Sequence, residues 1–148
     1  MKIREFKETD AEKIAKLSND NSEVFQYESV TPDFLKRMWK NPNYKLFVLS
    51  EGSEVIGFCG VNIEALPIAE LGPICVEKSR RMHGLGRLMM EDVFQFLEPL
   101  KPARVIIKVK TSNIDAQEFF KTLGFTKVEG VLCGGKPAIL MQYGLEGP

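Results

Sequence analysis

Between Lys78 and Leu97 the chain reads KSRRMHGLGRLMMEDVFQFL, with Gly84 and Gly86 set behind a basic run and ahead of an apolar pattern. This combination can hold an anion. A helix start leaves its first amides unpaired and carries the positive end of the helix dipole, so it attracts phosphate. Glycine lets the backbone come close to a ligand because no Cβ intervenes. Arg80, Arg81, His83 and Arg87 add positive charge to the same turn. A tight turn with solvated arginines is the competing reading, since glycine patterns also arise by chance. Two nucleotide loops are excluded by residue type. The G-x-x-x-x-G-K-[ST] loop needs a lysine and a hydroxyl after its last glycine, where Arg87 and Leu88 stand. The G-x-G-x-x-G loop needs a third glycine where Met89 stands.

The elements that position this turn follow from periodicity. KIREFK reads as an edge-like first strand. Thr9 or Asp10 can cap a helix whose stripe is Ala11, Ile14, Ala15 and Leu17. After the connection NSEVFQYES, Thr31 and Pro32 open a second helix with Phe34, Leu35, Met38 and Trp39 on one face, stopped by NPN. YKLFVLSEGSEVIGFCGVNIE is two strands around Glu51-Gly52-Ser53, and AELGPICVE is a third. Leu85, Leu88, Met89, Val93, Phe96 and Leu97 recur at helical spacing until Pro99. ARVIIKVK is the most strand-like segment and is expected at the centre of a sheet, buried on both faces. SNIDAQEFFKTLGF is a helix capped by Ser112 or Asn113 and stopped by Gly124. TKVEGVL and KPAILMQYGL close the chain as two strands around Gly134-Gly135. The expected architecture is a single mixed α/β domain over residues 1–148, in the order β-α-α-β-β-β-α-β-α-β-β.

A second motif completes the pattern. Asn113-x-x-Ala116-x-x-Phe119-Phe120-x-x-x-Gly124-Phe125 follows Gly86 by 27 positions. Arg81-x-x-Gly84-x-Gly86 resembles the R/Q-x-x-G-x-G/A signature of the GNAT superfamily of acetyl-CoA-dependent N-acetyltransferases. The second stretch resembles that family's N-x-x-A-x-x-F-Y-x-x-x-G-F signature at all but one position, and the order of elements is similar along nearly the whole chain. The resemblance implies a twisted mixed sheet splayed between its fourth and fifth strands, with acetyl-coenzyme A in the gap. It implies that the amides of Met82, His83, Gly84, Leu85, Gly86 and Arg87, with Arg81, hold the pyrophosphate. The pantetheine arm would pair along Ile74, Cys75 and Val76 as an added strand. Asn113, Phe119 and Phe120 would lie along the cofactor.

The implied chemistry is direct transfer of an acetyl group to an amine, with a base to take the amine proton and no metal. One branch of the family places that base on the fourth strand, six residues before its terminal valine. Counting back from Val76 gives Glu70, with Glu64 as a rival; a solvated strand-start glutamate is the plain alternative. Phe120 departs from the pattern, since many members have a tyrosine there whose hydroxyl assists the leaving thiolate. Tyr143 is a candidate replacement, with Tyr27 and Tyr44 behind it. The vacancy also admits a second function, an acyl-CoA binder or sensor with little turnover. His83 lies in the phosphate turn, so a phosphate contact or solvent is its expected surrounding. Cys75 reads as a buried thiol, and Trp39 as helix packing.

Bulk composition sets the remaining bounds. Twenty basic and twenty acidic side chains cancel, so no global field recruits nucleic acid or an anionic membrane. Three cysteines, none in a C-x-x-C pair, suggest neither a disulfide framework nor a zinc site. The start MKIREFKETD has no apolar core of a signal peptide, and no apolar run reaches the length of a membrane span. The expected compartment is the cytoplasm. The expected partner is a small-molecule or peptide amine, with a second copy of the chain also admissible.

Overall fold

The computed structural model describes residues 2–20, 30–77 and 84–144. Its elements follow the expected order: β1 (Lys2–Glu5), α1 (Ala11–Asp20), α2 (Pro32–Lys40), β2 (Tyr44–Glu51), β3 (Glu54–Asn62), β4 (Ile68–Val76), α3 (Leu85–Leu97), β5 (Arg104–Lys110), α4 (Ile114–Thr122), β6 (Thr126–Cys133) and β7 (Lys136–Gly144). The strands form one mixed sheet in the order β1-β2-β3-β4-β5-β7-β6. Every neighbouring pair is antiparallel except β4–β5, the one parallel pair. Two-residue turns join β2 to β3 and β6 to β7, with Glu51 facing Glu54 and Cys133 facing Lys136.

Helices cover the two faces unequally, and this shapes the core. On one face, α1 and α2 bury Ile14, Leu35 and Met38 against Leu46, Val48 and Phe58. On the other, α3 and α4 bury Met89, Val93 and Phe120 against Leu49, Ile56, Ile74 and Val105. β2 and β3 therefore lie between two layers and are buried on successive residues. The expectation that ARVIIKVK is buried on both faces is corrected. In β5 burial alternates, with Val105, Ile107 and Val109 inside and Ile106, Lys108 and Lys110 half-covered. The physical reason is that α1 and α2 pack on β2, β3 and β4.

Caps decide the helix ends. Thr31 accepts the amide of Phe34 at 3.1 Å, with Pro32 in the first turn of α2. On α2 only half of the expected apolar face is inside. Leu35 and Met38 are buried, whereas Phe34 and Trp39 are exposed, Trp39 resting on Phe6 with ring centroids 5.8 Å apart. Asp10 does not cap α1 through its first-turn amides. It lies in a short 3-10 turn before the helix, where it accepts the amide of Lys7 at 2.8 Å and both guanidinium nitrogens of Arg4 at 2.7 and 2.9 Å. At the end of α4 the amide of Phe125 reaches Phe120 O at 3.0 Å, and that of Gly124 reaches Lys121 O at 3.0 Å. Gly124 has φ 103°, the left-handed conformation this closing motif requires. The rings of Phe125 and Phe120 meet edge to face at 5.3 Å, completing the motif with an apolar contact.

Candidate active site

β4 is irregular where it pairs with β3. Val61 of β3 faces Leu71, and Cys59 faces Ile74, so Gly60 opposes both Gly72 and Pro73. Two residues against one make a β-bulge, where proline is tolerated because the ladder is already interrupted. The bulge shifts the side-chain phase. Ala69, Leu71, Ile74 and Val76 all face α3 and α4, while Cys75 faces α1. Gly60 must be small here, because a Cβ would meet Gly72 O at 2.9 Å.

Past the foot of β4 the parallel ladder ends. Ile68, Ala69 and Glu70 face Arg104, Val105 and Ile106, and no further β4–β5 pair follows. β5 continues against β7 alone, as far as Lys110 facing Ala138. The expected parting of the fourth and fifth strands is thus observed, with Glu70 in its last paired row.

Gly84, with φ 78°, is the N-cap residue of α3 and has no side chain to offer. The first helical bond runs from the amide of Leu88 to Gly84 O at 3.0 Å. The amides of Leu85, Gly86 and Arg87 therefore precede the ladder of the helix and are available to an anion. Arg81, Met82 and His83, together with Arg80 and Tyr27, lie outside the described residues. Gly86 has a different neighbour from the one the sequence suggests. A Cβ there would meet Cζ of Phe119 at 2.8 Å, so this glycine lets α3 close on α4. The side chain of Arg87 likewise turns from the glycine turn towards Thr122 O, 3.5 Å away at the end of α4.

Asn113 begins α4 as expected. Its Oδ1 accepts the amide of Ala116 at 3.0 Å, while its Nδ2 is buried with no partner among the described residues. A buried amide without an acceptor is costly. It fits a polar ligand group at this end of the gap, as the cofactor implied by the motifs would supply. Phe119 packs edge to face with Phe120 at 5.1 Å, and Phe120 is 0% exposed.

The two expected catalytic residues stand on opposite faces. Glu70 lies on the face beyond α1 and α2, 39% exposed at its side chain, with Oε2 3.5 Å from Lys108 Nζ. Tyr143 of β7 faces Val105 of β5 and belongs to the α3–α4 side. Its ring packs on Phe94 at 5.1 Å and Phe125 at 5.7 Å, below the point where the strands part. The structure does not bring Tyr143 to Glu70, because neighbouring rows of a strand point to opposite faces. Tyr44 donates to no catalytic group either; its hydroxyl accepts from Asn62 Nδ2 at 3.2 Å. Cys75 is a buried thiol 3.5 Å from Ser18 Oγ. Burial pushes the neighbouring Cys59 thiol well up, with Cys75 adding to the shift. Lys108 is the residue that sequence reasoning missed. Its signal was present in the alternation of Arg104, Ile106, Lys108 and Lys110.

The geometry agrees with comparisons to known proteins. A family model described as an acetyltransferase (GNAT) domain matches residues 7–136. Comparison with curated protein sequences gives no match. Among solved structures, smu.2055 from Streptococcus mutans UA159 superposes with a TM-score of 0.86 at 21% identity, covering 99% of this chain and 100% of that one. The ribosomal-protein-S18-alanine N-acetyltransferase from Escherichia coli gives 0.81 at 20% identity, covering 99% and 95%. The putative acetyltransferase yncA from Salmonella typhimurium, solved with its cofactor acetyl-CoA, gives 0.78 at 17% identity, covering 98% and 94%. At such identities the likeness shows the fold. The family model spans most of the chain, and with the parted strands and the two motifs it establishes that the protein belongs to the GNAT family of acetyltransferases.

Proposed function

We propose that the protein transfers an acetyl group from acetyl-CoA to an amine, with Glu70 as the base. The observation that carries this reading is the end of the β4–β5 ladder at Glu70 and Ile106, with β4 leading along the chain to a helix start that has no side-chain cap. Acetyl-CoA supplies a thioester carbonyl that a neutral amine attacks once the two are aligned. The first-turn amides of Leu85, Gly86 and Arg87 bind the pyrophosphate, joined by Arg81, Met82 and His83. β4 around Ile74, Cys75 and Val76 guides the pantetheine along the gap, and Asn113 Nδ2 donates to it or to the thioester carbonyl. Glu70, on the half-exposed face, takes the proton that the amine loses as the new C–N bond forms and the C–S bond breaks. Phe119 and Phe120 exclude water from the thioester side. The thiolate leaves unprotonated, since Phe120 has no proton to give, and takes one from solvent as coenzyme A leaves the gap.

The buried phenyl ring at Phe120 also favours a second reading, an acyl-CoA binder with little turnover. One experiment separates the two. Thiol release from acetyl-CoA is followed with and without a panel of amines, beside calorimetry of acetyl-CoA binding. Amine-dependent release supports the transferase. Binding without release in any arm supports the binder, and absence of binding overturns both.

A further inference from the structure

The face of β5 that α1 and α2 leave open carries Arg104, Ile106, Lys108 and Lys110, three cations and one isoleucine on alternate residues. On β7 the cations face Gly144, Leu140 and Ala138, which bring no charge. Arg104 donates to Gln142 Oε1 at 3.4 Å. Across the gap, among the described residues, Lys108 meets Glu70 at 3.5 Å. Glu129 stands in the row of Lys108 but two strands away, facing Leu140. Lys108 lies two residues past the last paired row, in the parted segment of β5, and reaches back over the mouth of the gap. The proposed base is thus set in a cationic wall.

Resting on the transferase reading, we infer that the acceptor is an amine that also carries a carboxylate. Its amine meets Glu70 while its carboxylate takes over Lys108. A half-exposed ion pair is held weakly against water, so an incoming zwitterion can exchange with it. The ammonium of lysine is a compact point charge on a flexible stem and follows a carboxylate through small displacements. A polycation would meet Arg104, Lys108 and Lys110 with like charge, and such repulsion selects against it.

The test uses the full chain with acetyl-CoA, a panel of α-amino acids each beside its amide, and spermidine. Wild type is expected to show a KM for the free acids lower than for their amides by roughly fivefold, the order a half-exposed charge pair contributes. Lys108→Met should raise KM for the acids relative to their amides and so abolish the preference for the free acids. Lys108→Glu should reverse the preference towards amides and spermidine. Preference of wild type for amides or spermidine overturns the inference and leaves the transferase standing. So does an equal fall in kcat for acids and amides in Lys108→Met, which would put Lys108 in the chemistry and not at the acceptor. Absence of release in every arm, with acetyl-CoA bound, overturns the transferase reading and the inference with it.

Discussion

Gly86 and Phe119 share one contact: a Cβ on the glycine would lie 2.8 Å from Cζ of the phenylalanine. The second glycine of the motif that opens α3 and the first phenylalanine of the α4 motif are therefore a single packing unit. Gly86→Val is expected to cost about 1–3 kcal/mol through overpacking, and to weaken acetyl-CoA binding by tilting the head of α3. Thermal melts and calorimetry read both effects. Adding Phe119→Leu to Gly86→Ala should recover most of the melting temperature; an unchanged melt in Gly86→Val alone would refute the contact.

Tyr143 is expected to serve packing. Its ring fills the space beside Gly124, where a Cβ would meet Cε2 at 2.9 Å. Tyr143→Phe removes the hydroxyl and keeps the ring, so the transfer rate should stay within about twofold. A tenfold fall would return Tyr143 to the chemistry. Gly124→Ala should destabilise by about 1–2 kcal/mol from backbone conformation alone, with the contact to Tyr143 adding to it.

Asn113 does two separable things. Asn113→Asp keeps an oxygen for the amide of Ala116 and removes the donor that Nδ2 provides. Stability should be unchanged or slightly higher, since a carboxylate favours a helix start. Affinity for acetyl-CoA should drop several-fold. Equal affinity in calorimetry would mean that Nδ2 does not face the ligand.

If Glu70 takes the amine proton, Glu70→Gln should slow transfer by roughly a hundredfold at neutral pH. The loss should shrink at high pH, where the amine is already deprotonated. A rate ratio flat across the pH range would assign Glu70 to positioning.

The Arg4–Asp10 pair sets an acid limit on stability. Burial opposes ionisation of Asp10, which is 3% exposed, yet the hydrogen bonds from Arg4 and the Lys7 amide outweigh it and hold the carboxyl below its usual range. A depressed carboxyl stabilises the fold above its unfolded value, about pH 3.9, and loses that contribution as pH falls through the folded value. Asp10→Asn should therefore lower stability by roughly 1–3 kcal/mol at neutral pH. In denaturation at decreasing pH the two proteins should converge; a constant difference down to strong acid would remove the ionic pair from the account.

Element order and the helix stops at NPN, Pro99 and Gly124 were legible in the residues themselves, because caps, turns and apolar periods are local. Thr31, Asn113 and Gly124 announce their roles within four residues of chain. The glycine turn and the asparagine motif were legible for the same reason, and together they named the family. What tertiary structure alone decided is which face each strand residue takes and what it meets there. The bulge at Gly72 and Pro73 shifts the phase of β4, so counting along PICVE does not tell that Cys75 faces α1 while Ile74 faces α3. Glu70 and Tyr143 fall on opposite faces through pairings that join residues more than 30 positions apart, and Gly86 meets a ring on another helix. Lys108 was visible as a charge in a strand. Its place beside Glu70 exists only because β4 and β5, separated by α3, run parallel for three residues and then part.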